Sequence, residues 1–256
     1  MPIQTSEFDV EALRAAWPAL SDEERSEAFA LLAAEPAQEF FASLTAVDQA
    51  GILRKLPNGE ATTWMRFLAP DDAADVLQAT EPDQRQRLEA MLDGPTRREV
   101  QALRAYAEDD AGGLMSPRYV RLRSDVAVEV AIRYARQQIR NNPETLYYLY
   151  VLDAEQRLQG VISFRDLFAA PGEALVADVM RRDPITVREE TDQEEVARVI
   201  ETNDLLAVPV VDEAGHVKGI VTVDDIVDVI REEATEDIHK LGGMEALGAP
   251  YLAVTF

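Results

Sequence analysis

The sequence predicts an α+β protein. An all-α helical-repeat superhelix occupies 1–110, a tandem pair of αββα units follows at 111–172 and 173–228, and a long last helix runs into the closing segment, 229–256. Three observations predict this. Apolar residues near the start recur every 24 positions, two later segments match each other at an offset of 59, and "TVDDIVDVIREEATEDIHKL", 222–241, repeats apolar residues at helical spacing.

The 24-residue period appears in three rows: Leu20, Leu44, Leu68 and Leu92; Ala28, Ile52, Val76 and Val100; Ala16, Phe40, Trp64 and Leu88. Pro36, Pro57, Pro70, Pro82 and Pro95 punctuate the segments. A unit this short holds two brief helices that must stack on neighbours to bury an apolar face, which is a small solenoid. "SDEE", "TAVD" and "APDD" follow three of the row leucines and offer helix N-caps. Trp17, Phe40, Phe41 and Trp64 sit with these rows and are expected in the core.

"TLYYLYVLD" and "AVPVVD" read as buried strands, rich in aromatic and β-branched residues. "QRLQGVISF" and "GHVKGIVTV" read as a turn and a second strand, with helices in "RDLFAA" and "DDIVDVI". The offset of 59 pairs Val151 with Val210, Asp153 with Asp212, Gly160 with Gly219, Ser163 with Thr222 and Asp166 with Asp225. Each hairpin is preceded by a helix, in "AVEVAIRYARQQI" and "DQEEVARVIETN", and Pro171-Gly172 starts the link between units.

In the terminal helix, Val223, Val227, Ile230, Ala234, Ile238 and Leu241 share one stripe, which is core or partner surface. Asp225, Asp228, Glu232 and Glu236 lie opposite. Between Asp224 and Asp237 stand seven acids and one base, Arg231. Like charges four apart cost about 0.2–0.5 kcal/mol per pair, and the late acids oppose the helix dipole. The acidity works against the helix alone, leaving a solvated face or a cation-binding surface as the two readings.

The chain has 48 acidic and 25 basic residues and a net charge of −23, so nucleic acid and anionic membrane are poor partners. Zero cysteine excludes disulfides and thiolate metal sites, and two histidines are too few for a zinc cluster. No signal peptide and no membrane-length apolar run is read. His216 is expected to be exposed in a turn, and His239 to pack or meet a second copy. No phosphate loop, dinucleotide fingerprint, zincin motif or nucleophile elbow is present, and no nucleophile–base set stands out, so no enzyme is expected.

The entry motifs "GLMSPRYV" and "DVMRRDPITV", with the exits "GVISFRDL" and "GIVTVDDI", resemble a pair of CBS domains. With "LAPDDAADVLQA", the joint "EDDAGGLMSPRYV" and "TVDDIVDVIREEATEDIHKLGG", the chain resembles the cytosolic part of MgtE-type magnesium channels in order and spacing. The resemblance implies Mg²⁺ binding at Asp71 and Asp75 of "DDAAD", at Glu39 one repeat earlier, and at Asp204. It also implies Asp225 and Asp228 at the start of the connecting helix and Glu233, Glu236 and Asp237 at its far end. Asp192 and Glu194 match more loosely. Mg²⁺ takes oxygen ligands and commonly uses one or two carboxylates, a chemistry that also suits Mn²⁺ or Ca²⁺. Further implications are a CBS-mediated homodimer, a transmembrane pore of the same polypeptide that is absent here, and a place on the cytoplasmic side of the bacterial inner membrane, this fragment being soluble. Bound Mg²⁺ would bridge acidic faces of the helical domain, CBS pair and connecting helix and favour a closed pore.

Ser163-Phe164-Arg165-Asp166 and Thr222-Val223-Asp224-Asp225 read as capping boxes at helix starts. In CBS domains the same Asp can hold a ribose. Arg165 could then meet phosphate and Tyr148 stack on adenine, making ATP a second candidate ligand. In the second unit Leu205 and Leu206 are the expected hydrophobic wall, with Asp225 claimed by the cation. The alternatives to Mg²⁺ sensing are an adenine-nucleotide sensor and a protein-binding adaptor.

Overall fold

A computed structural model describes residues 10–141, 143–227 and 229–230. The chain divides after Glu108 into two compact units.

The first unit holds eight described helices: α1 (Val10–Ala16), α2 (Asp22–Ala30), α3 (Ala34–Ala42), α4 (Ala46–Lys55), α5 (Asn58–Phe67), α6 (Pro70–Ala79), α7 (Pro82–Glu89) and α8 (Gly94–Leu103). Each packs on the helix one repeat away: α2 on α4, α4 on α6, α6 on α8, and α1 on α3, α5 on α7. Two helices per 24 residues therefore make two stacked rows. Ile52, Val76, Val100, Phe40, Leu88, Leu68 and Leu92 are buried as their rows require. In the first repeat Ala16 is exposed and Trp17 takes the inward place, edge-on to Phe40 at 4.9 Å between centroids. Ser21 forms a full capping box with Glu24, and the Thr45 side chain accepts from the Asp48 N–H. The third expected cap is absent. Ala69 stands at the N-cap and Pro70, with its preset φ, starts α6, so Asp71 and Asp72 move into its first turn.

The second unit runs α9 (Ala111–Leu114), β1 (Arg121–Arg123), α10 (Val128–Gln138), β2 (Tyr148–Leu152), β3 (Leu158–Ser163), α11 (Phe164–Ala169), α12 (Val176–Val179), β4 (Arg181–Arg182), β5 (Val187–Arg188), α13 (Gln193–Thr202), β6 (Ala207–Val211) and β7 (Val217–Thr222). The offset of 59 survives to the level of register. Tyr148 pairs with Ser163 and Ala207 with Thr222, and the register slips at Val151/Leu152 and at Val210/Val211. One sheet has the order β1-β2-β3-β4, the other β5-β6-β7.

Within this second unit the two αββα halves are not self-contained. Strand β4, from the second entry motif, pairs with β3 of the first half. Reciprocally, Ser116 of the first entry motif exchanges two backbone hydrogen bonds with Ile220 of β7, at 2.8 and 2.9 Å. Both crossings need glycine. A Cβ on Gly160 would lie 2.6 Å from the Arg181 carbonyl oxygen, and one on Gly219 2.7 Å from that of Ser116.

The chain is helical again at 223–227 and 229–230. Ile226 and Val229 are buried, whereas Val227 and Ile230 are 41% and 57% exposed. The expected stripe is therefore not core at those two positions, because the helix turns its Ile226 face to its own domain. No described helix is long and apolar enough to cross a membrane.

Candidate metal and nucleotide sites

Tyr148, Ser163 and Arg165 line one open cleft of about 800 Å³, together with Glu144, Thr145, Leu146, Tyr147, Phe164 and Leu206. Strand pairing puts Tyr148 opposite Ser163. The Ser163 hydroxyl oxygen accepts from the Asp166 N–H at 3.0 Å and caps α11. The Asp166 carboxylate makes no return bond to the Ser163 backbone among the described residues. It lies 3.7 Å from the Arg165 Nε, and both side chains are mostly exposed. The expected capping box is thus only half made, and an acid and a base stand open to a ligand beside the cleft. Leu206 lines this cleft, and Leu205 lines an adjoining one with Tyr148. The wall expected in the second αββα half therefore serves residues of the first half, because the strand exchange interleaves the two.

The second motif spends its carboxylates instead. Asp225 Oδ2 accepts from the Thr222 backbone N–H at 2.7 Å and from its hydroxyl at 2.8 Å. The single proton of that hydroxyl is shared with the Asp224 carboxylate, which also lies within hydrogen-bond reach. Burial holds the Asp225 carboxyl well above the usual carboxylate range; the Thr222 hydrogen bonds pull it down, and the negative Asp224 and Glu144 push it up. Taken over the whole residue, Asp225 is partly exposed.

Sequence reasoning missed Glu144, which lies 81 positions from Asp225. It precedes β2 and its Oε2 accepts from the buried Ser116 hydroxyl at 3.2 Å. The same exchange that bonds Ser116 to β7 brings Glu144 near Asp225. No motif in the chain signals that approach.

Asp204 is exposed and has φ +50°. It follows α13 in a Schellman turn, with the Leu205 N–H donating to the Ile200 carbonyl at 3.0 Å and the Asp204 N–H to Glu201 at 3.3 Å. Asp192 caps the other end of α13, accepting from the Glu194 N–H at 2.9 Å, and Glu194 lies in the first turn. Ten residues of helix, about 15 Å, separate Asp192 from Asp204, so the two do not share one ion. A cap and a first-turn acid account structurally for Asp192 and Glu194. In the first unit, Asp71 is buried in the first turn of α6, Asp75 is exposed one turn later, and Glu39 is exposed on α3. Asp228, Glu233, Glu236, Asp237 and His239 lie outside the described residues. Among the described residues no three acids or histidines gather in a metal-binding group.

His216 is not a bare surface residue. Its Nδ1 lies 2.9 Å from Asp212 Oδ2 and its backbone N–H donates to Asp212 Oδ1 at 2.9 Å. The turn through Gly215, φ +84°, folds it back.

The MgtE intracellular N domain family matches residues 9–109 and the CBS domain family residues 176–232. The magnesium transporter MgtE of Thermus thermophilus is 45% identical over 242 residues, covering 93% of this chain and 54% of the transporter. The chain thus spans about half the length of that relative. A crystal structure of the cytosolic domain of the Mg²⁺ channel MgtE in complex with ATP superposes with a TM-score of 0.80 at 43% identity, over 88% of this chain and 92% of that one. The soluble part of a magnesium transporter gives 0.68 at 31% identity, over 88% and 93%.

Proposed function

The chain belongs to the MgtE family of magnesium transporters, and from that premise we propose that it is a Mg²⁺-sensing regulatory module on the cytoplasmic side of a membrane pore. The observation that carries this reading is Asp225. Its carboxylate is held among Asp224 and Glu144, which oppose its ionisation. Two bare carboxylates about 5 Å apart repel by roughly 3 kcal/mol at an effective dielectric of 20. A divalent cation relieves that repulsion, and so binds the compact arrangement better than an expanded one. Differential affinity of this kind is what shifts a conformational equilibrium.

Asp71, Asp75 and Glu39 of the helical unit, Asp204, Asp225 and Asp228 of the CBS region, and Glu233, Glu236 and Asp237 are the proposed Mg²⁺ ligands, with Asp192 and Glu194 as weaker candidates. Bridging between these faces favours a closed pore carried by the same polypeptide. No catalysis is part of this function. Millimolar Mg²⁺ should make the chain resist protease and reduce its scattering radius, and NaCl at matched ionic strength should do neither. Asp225→Asn with Asp228→Asn should weaken the protection. A radius and digestion rate unchanged by Mg²⁺ would overturn the reading.

A second reading, compatible with the first, is supported by the cleft of Tyr148, Ser163 and Arg165. We propose that it takes ATP, as the 43%-identical cytosolic domain does. Tyr148 offers a ring to stack on adenine, Asp166 an acceptor for ribose hydroxyls, and Arg165 a charge for phosphate. Calorimetry with ATP should show binding that Asp166→Ala and Tyr148→Ala each weaken. Equal affinity in both variants would remove the site.

A further inference from the structure

The row of α2, α4 and α6 in the helical unit carries a pocket of about 200 Å³. Its charged rim largely satisfies itself. Arg25 Nη1 meets Asp48 Oδ1 at 2.7 Å and its Nε donates to the Trp17 carbonyl at 3.1 Å, while Arg54 Nη2 meets Asp22 Oδ2 at 2.9 Å. Three acids and two arginines line the pocket, so one carboxylate is left over. It belongs to Glu81, at the N-cap of α7. That side chain caps nothing and, among the described residues, joins no ion pair.

The floor is apolar and unfilled. Val47 is 69% exposed there, and Ala79 is exposed beside it. Gly51 lies in the interior of α4 and lines the same pocket. A glycine inside a helix costs stability relative to alanine, and suits a place where something must approach the backbone closely. Among the described residues nothing approaches this one: an added Cβ at Gly51 meets no atom within 4 Å. The helix holds open a space that the fold itself does not fill.

We propose that this pocket binds a primary ammonium on an aliphatic stem, the stem lying over Gly51, Val47 and Ala79 and the ammonium on the Glu81 carboxylate. The chemistry disfavours two other guests. An anion would find both guanidinium groups already engaged. A hydrated divalent cation gains nothing from an apolar floor, and only one carboxylate there lacks a counter-charge. A compact ammonium donates three hydrogen bonds, and methylenes lifted out of water onto the floor add apolar burial. The chain's net charge of −23 draws such a cation toward it. A small diamine and a lysine side chain of another protein both carry this chemistry.

Amide NMR spectra of the full chain, followed at constant ionic strength as putrescine, Nα-acetyl-lysine amide or ammonium chloride is added, test the proposal. Saturable shifts at Val47, Gly51 and Glu81 are expected with an organic amine and not with ammonium chloride, which has the charge without the stem. The amine that saturates at the lower concentration identifies the source. Gly51→Leu puts a side chain into the pocket without changing its charge. It should abolish the shifts at Val47 and Glu81 and melt no lower than wild type. Glu81→Gln should weaken binding about threefold, and unchanged affinity in that variant would overturn the proposal. So would the absence of saturable shifts with either amine, or a Gly51→Leu response equal to that of wild type, which would report only a general attraction of cations to an acidic chain.

Discussion

Asp204 occupies a backbone position that glycine fills best. Its left-handed φ of +50° closes the turn after α13, and an L-residue pays a steric penalty there that Asp only partly escapes. Asp204→Gly should leave folding stability equal or raise it by up to about 1 kcal/mol, measured by urea unfolding. It should also weaken Mg²⁺-dependent protease protection. A variant that keeps full protection would show that Asp204 is no ligand. Asp212 makes a different wager, on acid stability. Burial pushes its carboxyl up, but the backbone N–H and imidazole of His216 and the Lys218 amine outweigh that and leave it well below the usual carboxylate range. A carboxyl depressed in the folded state adds stability above its unfolded pKa, near 3.9, and loses it as pH falls toward the folded value. Asp212→Asn should therefore melt lower than wild type at pH 7, and the gap should narrow as pH is brought below about 4. A gap independent of pH would assign the effect to turn geometry alone.

Glycines of opposite effect separate the elements that cross from those that merely stack. Gly219 lies where β7 meets the first entry motif, with the Ser116 backbone oxygen and Met115 Cγ at 2.7 and 2.8 Å from an added Cβ. Backbone cannot yield there as a side-chain end can, so Gly219→Ala should destabilise the second unit by about 1–3 kcal/mol. Gly51, inside α4, has nothing within 4 Å of an added Cβ. Gly51→Ala should stabilise the helical unit by about 0.5–1 kcal/mol through the restricted unfolded chain. Denaturant melts of each variant, followed by hydrogen exchange in the two units, check both signs. The same crossing explains a failure of reading. The sequence places Leu205 and Leu206 in the second half, yet the exchange of entry strands sets them against Tyr148 and Ser163. It likewise brings Glu144 near Asp225 without any motif to announce the meeting.

At the scale of the molecule, the expected homodimer has a physical basis in α10. Val130 and Tyr134 are 42% and 52% exposed on that helix, and both line a groove beside β1 with Val126 and Leu122. Burying such a face against a second copy removes apolar area from water. Light scattering should report a dimer with or without Mg²⁺, and Val130→Glu with Tyr134→Glu should give a folded monomer. A wild-type monomer at micromolar concentration would count against the CBS-mediated assembly.

The sequence by itself determined the two architectures, since each is written in a period. Helical rows must bury at a spacing of 24, and two hairpins must repeat every 59, because burial and turn chemistry act locally and recur with the chain. It also placed Ser163 and Thr222 at helix starts, because a S/T-x-x-D motif is short-range. Only the tertiary structure decided which carboxylates are strained, which half of each capping motif is made, and which residues from the two halves share a groove. Those depend on contacts between residues far apart in the chain. The exchange of β4 and Ser116 between sheets sets them, and it is fixed by glycine-sized space at two crossings rather than by any local pattern.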